Sequence, residues 1–226
     1  MVVYEIDIRK NGLESAFVED VNLGRELDIL RNSGLNPTSL AQNAQLRIQE
    51  GILAKVSTKG NYVNGGVLYL RGAPGIVVKD SPFLTDESML HDAIVTSIRL
   101  ARNGGFFATP DNRLYESYMQ MAQEDASKDP KDRRAIFLPS DKSFEISQKI
   151  HPELFRFLLE DVGEQYLNLV RESSLSFLPI WQESLQRYSG TVPKQLWFGN
   201  IRDNSSIMGN RELSDKSRTR GVKRII

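Results

Sequence analysis

Residues 2–18 read VVYEIDIRKNGLESAFV and decide how the first half of the chain is interpreted. Two runs within this stretch alternate between apolar and polar residues, which is the period of a half-buried strand. Between them lies Asn11-Gly12, a dipeptide that favours a tight turn because both residues accept positive φ. The stretch therefore predicts an N-terminal β-hairpin. The predicted buried side of its first strand consists of Tyr4, Ile6 and Ile8.

Most of the first 80 residues continue to show strand patterns. One helix is predicted over residues 23–33 from the spacing of its leucines, and Gly34 would end it. Residues 46–56 carry apolar side chains at alternate positions, which predicts another strand. Further short strands are predicted at 67–70 and 76–78.

Helical spacing predominates in the next hundred residues. Thr85 is a suitable N-cap for the first of these helices, and a second helix is predicted within residues 109–126. Residues 124–134 contain four acidic and four basic side chains and are typical of a solvated charge run. Apolar residues at intervals of three and four predict one long amphipathic helix over residues 154–170.

This order of elements predicts an α+β protein, with a β-rich N-terminal half of hairpins, an α-helical C-terminal half and a basic C-terminal tail. We expect residues 1–208 to form a single domain, since no linker rich in Pro, Gly or Ser separates the halves. Within it, residues 1–80 are predicted to be β-rich and residues 83–190 mainly helical. Residues 209–226 are predicted to form a basic extension.

The composition excludes several classes of protein. The 226 residues include 29 Lys+Arg and 29 Asp+Glu, and 40% are hydrophobic, which is not the composition of a disordered chain. The absence of Cys excludes disulfides, thiolate zinc sites and cysteine nucleophiles. Glu5 and Asp7 interrupt the apolar run that a signal peptide would need, and no stretch reaches the roughly 18 apolar residues of a membrane span. We expect a soluble, cytoplasmic protein, or one within a particle assembled inside the cell, with no membrane partner.

The neutral total conceals an asymmetry of charge. Residues 209–226 carry six basic and two acidic side chains, a net charge of +4, so the remaining 208 residues carry −4. Such an asymmetry indicates a tail that meets an anionic partner. The predicted residues for binding nucleic acid or a partner are Arg211, Lys216, Arg218, Arg220, Lys223 and Arg224.

These observations favour a non-catalytic structural or adaptor subunit of a larger assembly, such as a virion or a nucleoprotein complex. Its partners would be other protein subunits, including copies of the same chain. The basic tail would contact either a neighbouring subunit or nucleic acid. The sequence predicts no catalytic constellation and no cofactor.

A metal-dependent hydrolase or nuclease is the first alternative. Glu87 and His91 lie four residues apart on one predicted helix face, and two such side chains can ligate a divalent metal. Asp80, just before that helix, is a further candidate ligand. Asp7 is another, although it lies on the predicted solvent side of its strand, because acidic groups on strands can hold Mg²⁺. Clustering of these four side chains would favour this alternative.

A small-molecule binding domain is the second alternative. Glycine is densest at residues 60–66 and 72–75, which could form a lid over a ligand. This region has neither the G-x-x-x-x-G-K-[ST] pattern nor a G-x-G-x-x-G turn that opens a helix. Turns and bulges therefore account for these glycines as well.

Overall fold

The computed structural model describes residues 2–10, 12–20, 22–100, 106–203, 205–211, 213 and 217–225, without the side chains of residues 97–100, 203 and 217. Its strands are β1 (Val3–Lys10), β2 (Leu13–Asp20), β3 (Asn36–Pro37), β4 (Asn61–Tyr69), β5 (Ile76–Val78), β6 (Ala135–Phe137), β7 (Phe144–Ile146), β8 (Leu175–Leu178), β9 (Val192–Phe198), β10 (Ile207–Met208) and β11 (Ser217–Arg224). Its α-helices are α1 (Leu23–Asn32), α2 (Leu40–Glu50), α3 (Lys55–Thr58), α4 (Pro82–Thr85), α5 (Glu87–Leu100), α6 (Arg113–Glu124), α7 (Pro152–Leu159) and α8 (Gly163–Val170). Short 3-10 helices occur at Pro130–Asp132, Gln182–Leu185 and Ile201–Asp203.

The predicted N-terminal hairpin is confirmed. β1 and β2 pair antiparallel, and a bulge shifts their register between Ile6 and Ile8. A bulge changes which face the following side chains occupy. Ile8, after the bulge, is consequently buried, whereas Tyr4 and Ile6 before it remain 40% and 39% exposed. Asp7, at the bulge, binds Arg220 of β11. The predicted buried and solvent sides of this strand are therefore partly wrong.

β11 lies in the middle of the sheet, although it is the last strand in the chain. The strand order is β1-β2-β11-β4-β9-β10-β8-β7, with β3 also paired to β11 and β5 paired to β4 and β6. β11 runs antiparallel to β2 along its whole length, from Ser217↔Asp20 to Arg224↔Leu13. It also runs parallel to β4, to which it is paired at Thr219. The end of the chain therefore connects the N-terminal hairpin to the rest of the sheet.

The predicted fold class is wrong. This mixed sheet contains strands from both halves of the chain, three helices interrupt the half that was expected to be β-rich, and the basic tail contributes a central strand. The reason is that strand pairing is non-local. The acidic partners of Arg218 and Arg220 lie 199 and 213 residues away in sequence, so the segment resembles a solvated tail when it is considered alone.

A helix replaces much of the strand that was predicted over residues 46–56. The Ser39 hydroxyl accepts the N–H of Gln42 at 3.0 Å, and the Gln42 side chain accepts the N–H of Ser39 at 2.9 Å. This reciprocal capping box starts α2. Helical spacing then decides which side chains α2 buries, and these are Leu40, Ala41, Asn43, Ala44, Leu46 and Arg47.

The long helix predicted over residues 154–170 is two helices, α7 and α8. α7 ends at Glu160, whose φ is 53°. α8 begins at Gly163, where a Cβ would lie 2.6 Å from the Phe155 ring. Only glycine permits this close approach of α8 to α7. The apolar spacing continues across the break because both helices face the same core.

Three other predicted helices are confirmed as α1, α5 and α6. Gly34 follows α1 with a φ of 68°, as a glycine that ends a helix does. The cap of α5 differs from the prediction, because Thr85 ends α4 instead. Asp86 begins α5, and its carboxylate accepts the N–H of Met89 at 2.9 Å.

Helices cover both faces of the sheet. α2, α7 and α8 pack on the face that carries Val63 and Val67 of β4. α1 and α5 pack on the opposite face, around Tyr62 and Trp197, and α6 packs against β5 and β6. None of the helices in the described part of the chain has the length and apolar character needed to cross a membrane.

Candidate functional site

A cleft of about 510 Å³ opens beside β6, between the end of α6 and the start of α7. Its volume is in the range of small-ligand sites, which combine apolar walls with a few polar groups. The apolar walls consist of Ala122, Ala126, Ala135, Ile136, Phe137, Pro139, Pro152 and Leu154. The polar groups are Gln123, Arg133, His151 and Glu153.

Ion pairs fix the loop that connects α6 to β6 and forms one wall of the cleft. The buried carboxylate of Asp125 accepts the backbone N–H of Arg134 at 2.9 Å and its Nε at 2.8 Å. Asp129 accepts Nε and Nη2 of Arg156 on α7, at 2.8 and 3.0 Å. The loop is therefore bound to both of its neighbours. Most charged side chains of residues 124–134 are exposed, as predicted, but Asp125 and Arg133 are buried and Arg133 lines the cleft.

Arg133 and Glu153, which both line the cleft, form an ion pair. The Arg133 side chain is only 10% exposed. Its Nε donates to the carbonyl of Lys128 at 2.9 Å, and its Nη1 donates to Oε2 of Glu153 at 2.8 Å. Within the described ranges, Nη2 of Arg133 and Oε1 of Glu153 make no hydrogen bond. A ligand that offers both an acceptor and a donor can therefore use both groups of this ion pair.

His151 lines the same cleft in a backbone conformation that is rare for a non-glycine residue. Its φ and ψ are 52° and 55°, and such conformations persist where the surrounding structure enforces them, often at functional sites. Pro152 disfavours a right-handed helical conformation at the preceding residue. The imidazole packs edge-on against Phe144, with ring centroids 5.2 Å apart. Sequence reasoning passed over His151, and its His-Pro step is the signal that could have identified it.

The ion pairs of this loop predict a loss of stability in acid. Hydrogen bonds from Arg134 hold the pKa of Asp125 well below its ordinary range, and those from Arg156 lower the pKa of Asp129 to about 2. A carboxyl group with a lowered folded-state pKa stabilises the fold above its unfolded pKa of about 4, and this stabilisation is lost as the pH falls toward the folded pKa.

We therefore expect the difference in melting temperature between wild type and Asp129→Asn to decrease as the pH falls from about 5 to about 2. Circular dichroism melts at a series of pH values would measure it. A difference that stays constant over this range would contradict the prediction.

Three of the predicted tail residues bind acidic residues of β1 and β2. The Arg220 side chain is 3% exposed, and it holds Asp7 through both guanidinium Nη atoms. The three ion pairs are Arg220–Asp7, Arg218–Glu19 and Lys223–Glu14, at 2.6, 2.6 and 2.9 Å. These cations therefore join β11 to the N-terminal hairpin.

Two of the other predicted tail residues, Arg211 and Arg224, have different surroundings. Arg211 lies over the Trp197 ring, with its guanidinium carbon 3.8 Å from the ring centroid. Arg224 is exposed at the end of β11. Lys216 lies outside the described residues. Binding of nucleic acid or a neighbouring subunit by these residues stays a prediction.

The four candidate metal ligands do not share one site. Asp7 is in the ion pair with β11 described above, and Glu87 binds Arg31 at 2.7 Å. Glu87 and His91 line a second cleft, between α1 and α5, and Asp80 is not part of that cleft. In the portion of the chain that the structure describes, no group of three His, Cys, Asp or Glu side chains could hold a metal ion.

The first glycine-rich segment lies mostly within a strand, whereas Gly72, Ala73 and Pro74 of the second line a cleft of about 600 Å³, so a role as a lid stays a prediction. Most of residues 60–66 lie in β4, in the interior of the sheet. A Cβ on Gly66 would lie 3.0 Å from the carbonyl oxygen of Lys194 on the neighbouring strand. Residues 72–75 belong to the connection between β4 and β5. Close packing and a turn account for these glycines.

Comparison with known proteins relates this chain to others through its fold. No protein-family model matches the sequence, and no curated protein matches it. One solved structure does match. It was described in work on the accommodation of massive sequence variation in Nanoarchaeota by the C-type lectin fold. The match has a TM-score of 0.60 and 11% identity, and covers 97% of this chain and 100% of that one. At this identity the likeness shows the fold alone, which is that of the C-type lectins.

Proposed function

We propose that this protein is a non-catalytic binding protein that acts as a subunit of a larger assembly and binds its partner in the cleft between α6 and α7. The observation that carries this proposal is the combination of an apolar cleft with the half-used Arg133–Glu153 ion pair. The cleft is held by ion pairs on both sides, so a partner would not have to order it. Preorganisation of this kind favours binding because it lowers the entropic cost.

The polar chemistry of the cleft suits a peptide segment as the partner. A peptide unit offers one carbonyl acceptor and one N–H donor. The acceptor matches Nη2 of Arg133, and the donor matches Oε1 of Glu153. An adjacent apolar side chain would pack against Ala126 and Leu154, which line the walls. The expected ligand is therefore an extended peptide with a medium-sized apolar side chain.

The fold supports the proposal in a general way. The related Nanoarchaeota structure was described in terms of a C-type lectin fold that accommodates massive sequence variation. In the present protein the cleft is lined by the end of α6, the loop between α6 and β6, β6 itself and the start of α7, and not by the central strands β11 and β4. Its lining can therefore vary while those central strands stay the same, as a binding protein requires.

Filling the cleft is expected to abolish binding of a minimal peptide. The probe is N-acetyl-leucine N′-methylamide, which has one leucine side chain between two amides. In ¹H–¹⁵N NMR titrations, wild type should show shifts at residues around the cleft, and Ala126→Trp should lose them because the indole would occupy the walls. Glu153→Ala removes an exposed carboxylate and should weaken binding several-fold.

Ser127→Trp is the matched control, since this neighbouring residue is exposed and does not line the cleft. It should bind the probe as wild type does. Shifts that are scattered over the surface, or that persist in Ala126→Trp, would overturn the proposal.

A further inference from the structure

β1, the first strand of the N-terminal hairpin, forms one outer edge of the sheet. Its only partner among the described strands is β2. An open edge presents backbone N–H and C=O groups that can pair with another strand. Proteins usually protect such edges with charges or bulges. In β1 the bulge comes at Asp7, so the segment before it is a regular strand with a free edge.

The segment before the bulge also exposes apolar side chains on one face. Val2, Tyr4 and Ile6 are 42%, 40% and 39% exposed. Tyr4 and Ile6 lie opposite Val18 and Ala16 of β2, which are fully buried under α1. The apolar surface of this face therefore continues beyond the part that α1 covers and ends at the free edge.

We propose that two copies of this chain pair through residues 2–6 as antiparallel edge strands, with a two-fold axis at Tyr4. The apolar residues are symmetric about Tyr4, with an aliphatic side chain two positions away on either side. In an antiparallel pair centred there, Val2 of each copy faces Ile6 of the other, and the two Tyr4 rings face each other. A contact between identical surfaces is self-complementary in this way. The apolar side chains of Val2, Tyr4 and Ile6 from both copies then form one continuous apolar stripe across the joined sheets.

Charge disfavours the registers that are shifted toward the bulge. With the axis at Tyr4, Glu5 faces Val3 of the other copy, so no like charges are opposed. A shift of the axis to Glu5 would place the two Glu5 carboxylates opposite each other, and a shift to Ile6 would oppose Glu5 to Asp7. Like charges that face each other across paired strands are destabilising. Glu5 is in addition bound to Lys55 of its own chain.

The contact is small, so the dimer should be weak. Five residues from each strand bury less than the ~1,200 Å² at which the size range of stable interfaces begins. We therefore expect monomer and dimer to exchange at micromolar protein concentration. Sedimentation velocity over a range of concentrations should show a rising mass for wild type. Tyr4→Lys should remain monomeric, because it would place two ammonium groups at the axis.

Trp181→Lys is the control for this variant, since Trp181 is also an exposed aromatic residue, at 53%, and lies in the connection between β8 and β9, outside the proposed interface. It should dimerise as wild type does. The melting temperature of Tyr4→Lys should stay close to that of wild type, because the side chain is partly exposed. A wild-type protein that stays monomeric up to millimolar concentration would overturn the proposal.

Cysteine cross-linking tests the register directly, because the chain contains no Cys. Only a residue on the axis faces its own copy, at the Cα separation of 4.5–5.5 Å that antiparallel pairs show and a disulfide accepts. Tyr4→Cys should therefore form a disulfide-linked dimer on mild oxidation. Ile6→Cys should not, because it faces Val2. Cross-linking of Ile6→Cys but not Tyr4→Cys would overturn the proposed register.

Discussion

A chain that ends at Met208 is expected not to fold. The truncation removes β11 and so leaves β2 and β4 without the strand that lies between them. It also removes the buried side chains of Val222 and Arg220 and the acceptor that Ser15 uses on Gly221. We expect the truncated chain to show no cooperative thermal transition by circular dichroism and narrow dispersion in its NMR spectrum.

Full-length Arg224→Gln is a suitable control for charge, because Arg224 is exposed at the end of β11. It should melt as wild type does. A truncated chain with a wild-type melting transition would show instead that residues 209–226 are a dispensable extension. Addition of the peptide 209–226 to the truncated chain should restore structure if strand pairing is what was lost.

Replacement of Arg220 by methionine is expected to destabilise the protein by about 3–5 kcal/mol, since removal of one partner leaves the other charge buried and unpaired. The ion pair with Asp7 spans β2 and connects β11 to β1. The guanidinium also donates to the Ser15 hydroxyl at 2.9 Å. Urea unfolding should therefore show a large decrease in the midpoint.

The double variant Asp7→Leu with Arg220→Met is expected to recover most of this loss, because well-packed apolar residues can replace a buried ion pair at little cost. Arg218→Gln is the matched control on the same strand. Its ion pair with Glu19 is more exposed, so its loss should cost about 1 kcal/mol or less. Equal effects of Arg218→Gln and Arg220→Met would contradict the assignment of Arg220 to the interior.

Local features of the fold could be predicted from sequence, and distant pairings could not. The hairpin was predictable because both strands and the turn lie within residues 2–18. Gly34 was predictable because a left-handed residue at the end of a helix needs no distant partner. The position of β11 was not, since its hydrogen bonds go to residues about 200 positions earlier. The sequence of β11 did not indicate that its Arg220 would form an ion pair with Asp7.

Competing local signals explain the other errors. Residues 46–56 alternate as a strand does, but the capping box formed by Ser39 and Gln42 lies outside that window and starts a helix. The break between α7 and α8 was missed for a related reason. The spacing of apolar residues shows which side of a segment is buried, but it does not show whether the helix is continuous. Only Gly163 marked the break.

The candidate site shows the same limit. The cleft is assembled from the end of α6, β6 and the start of α7, and none of these segments contains a recognisable motif. The burial of Asp125 was not predictable, because equal numbers of opposite charges are typical of a surface. Arg134 and Arg156, the partners of Asp125 and Asp129, could not be assigned without the fold. The His-Pro step at His151 was the one local clue.

The central position of β11 also sets the order of events during synthesis. The ribosome makes β1 and β2 first, and about 200 residues separate them from β11. At about 5–20 residues per second, the hairpin waits on the order of 10–40 s for this strand. During this time the edges of β2 and β4 are open to wrong partners, and nascent chains of this kind are prone to aggregation. Residues 13–20 and 61–69 can pair through β11 only after β11 has left the ribosome, so the middle of the sheet closes late in the synthesis of these strands.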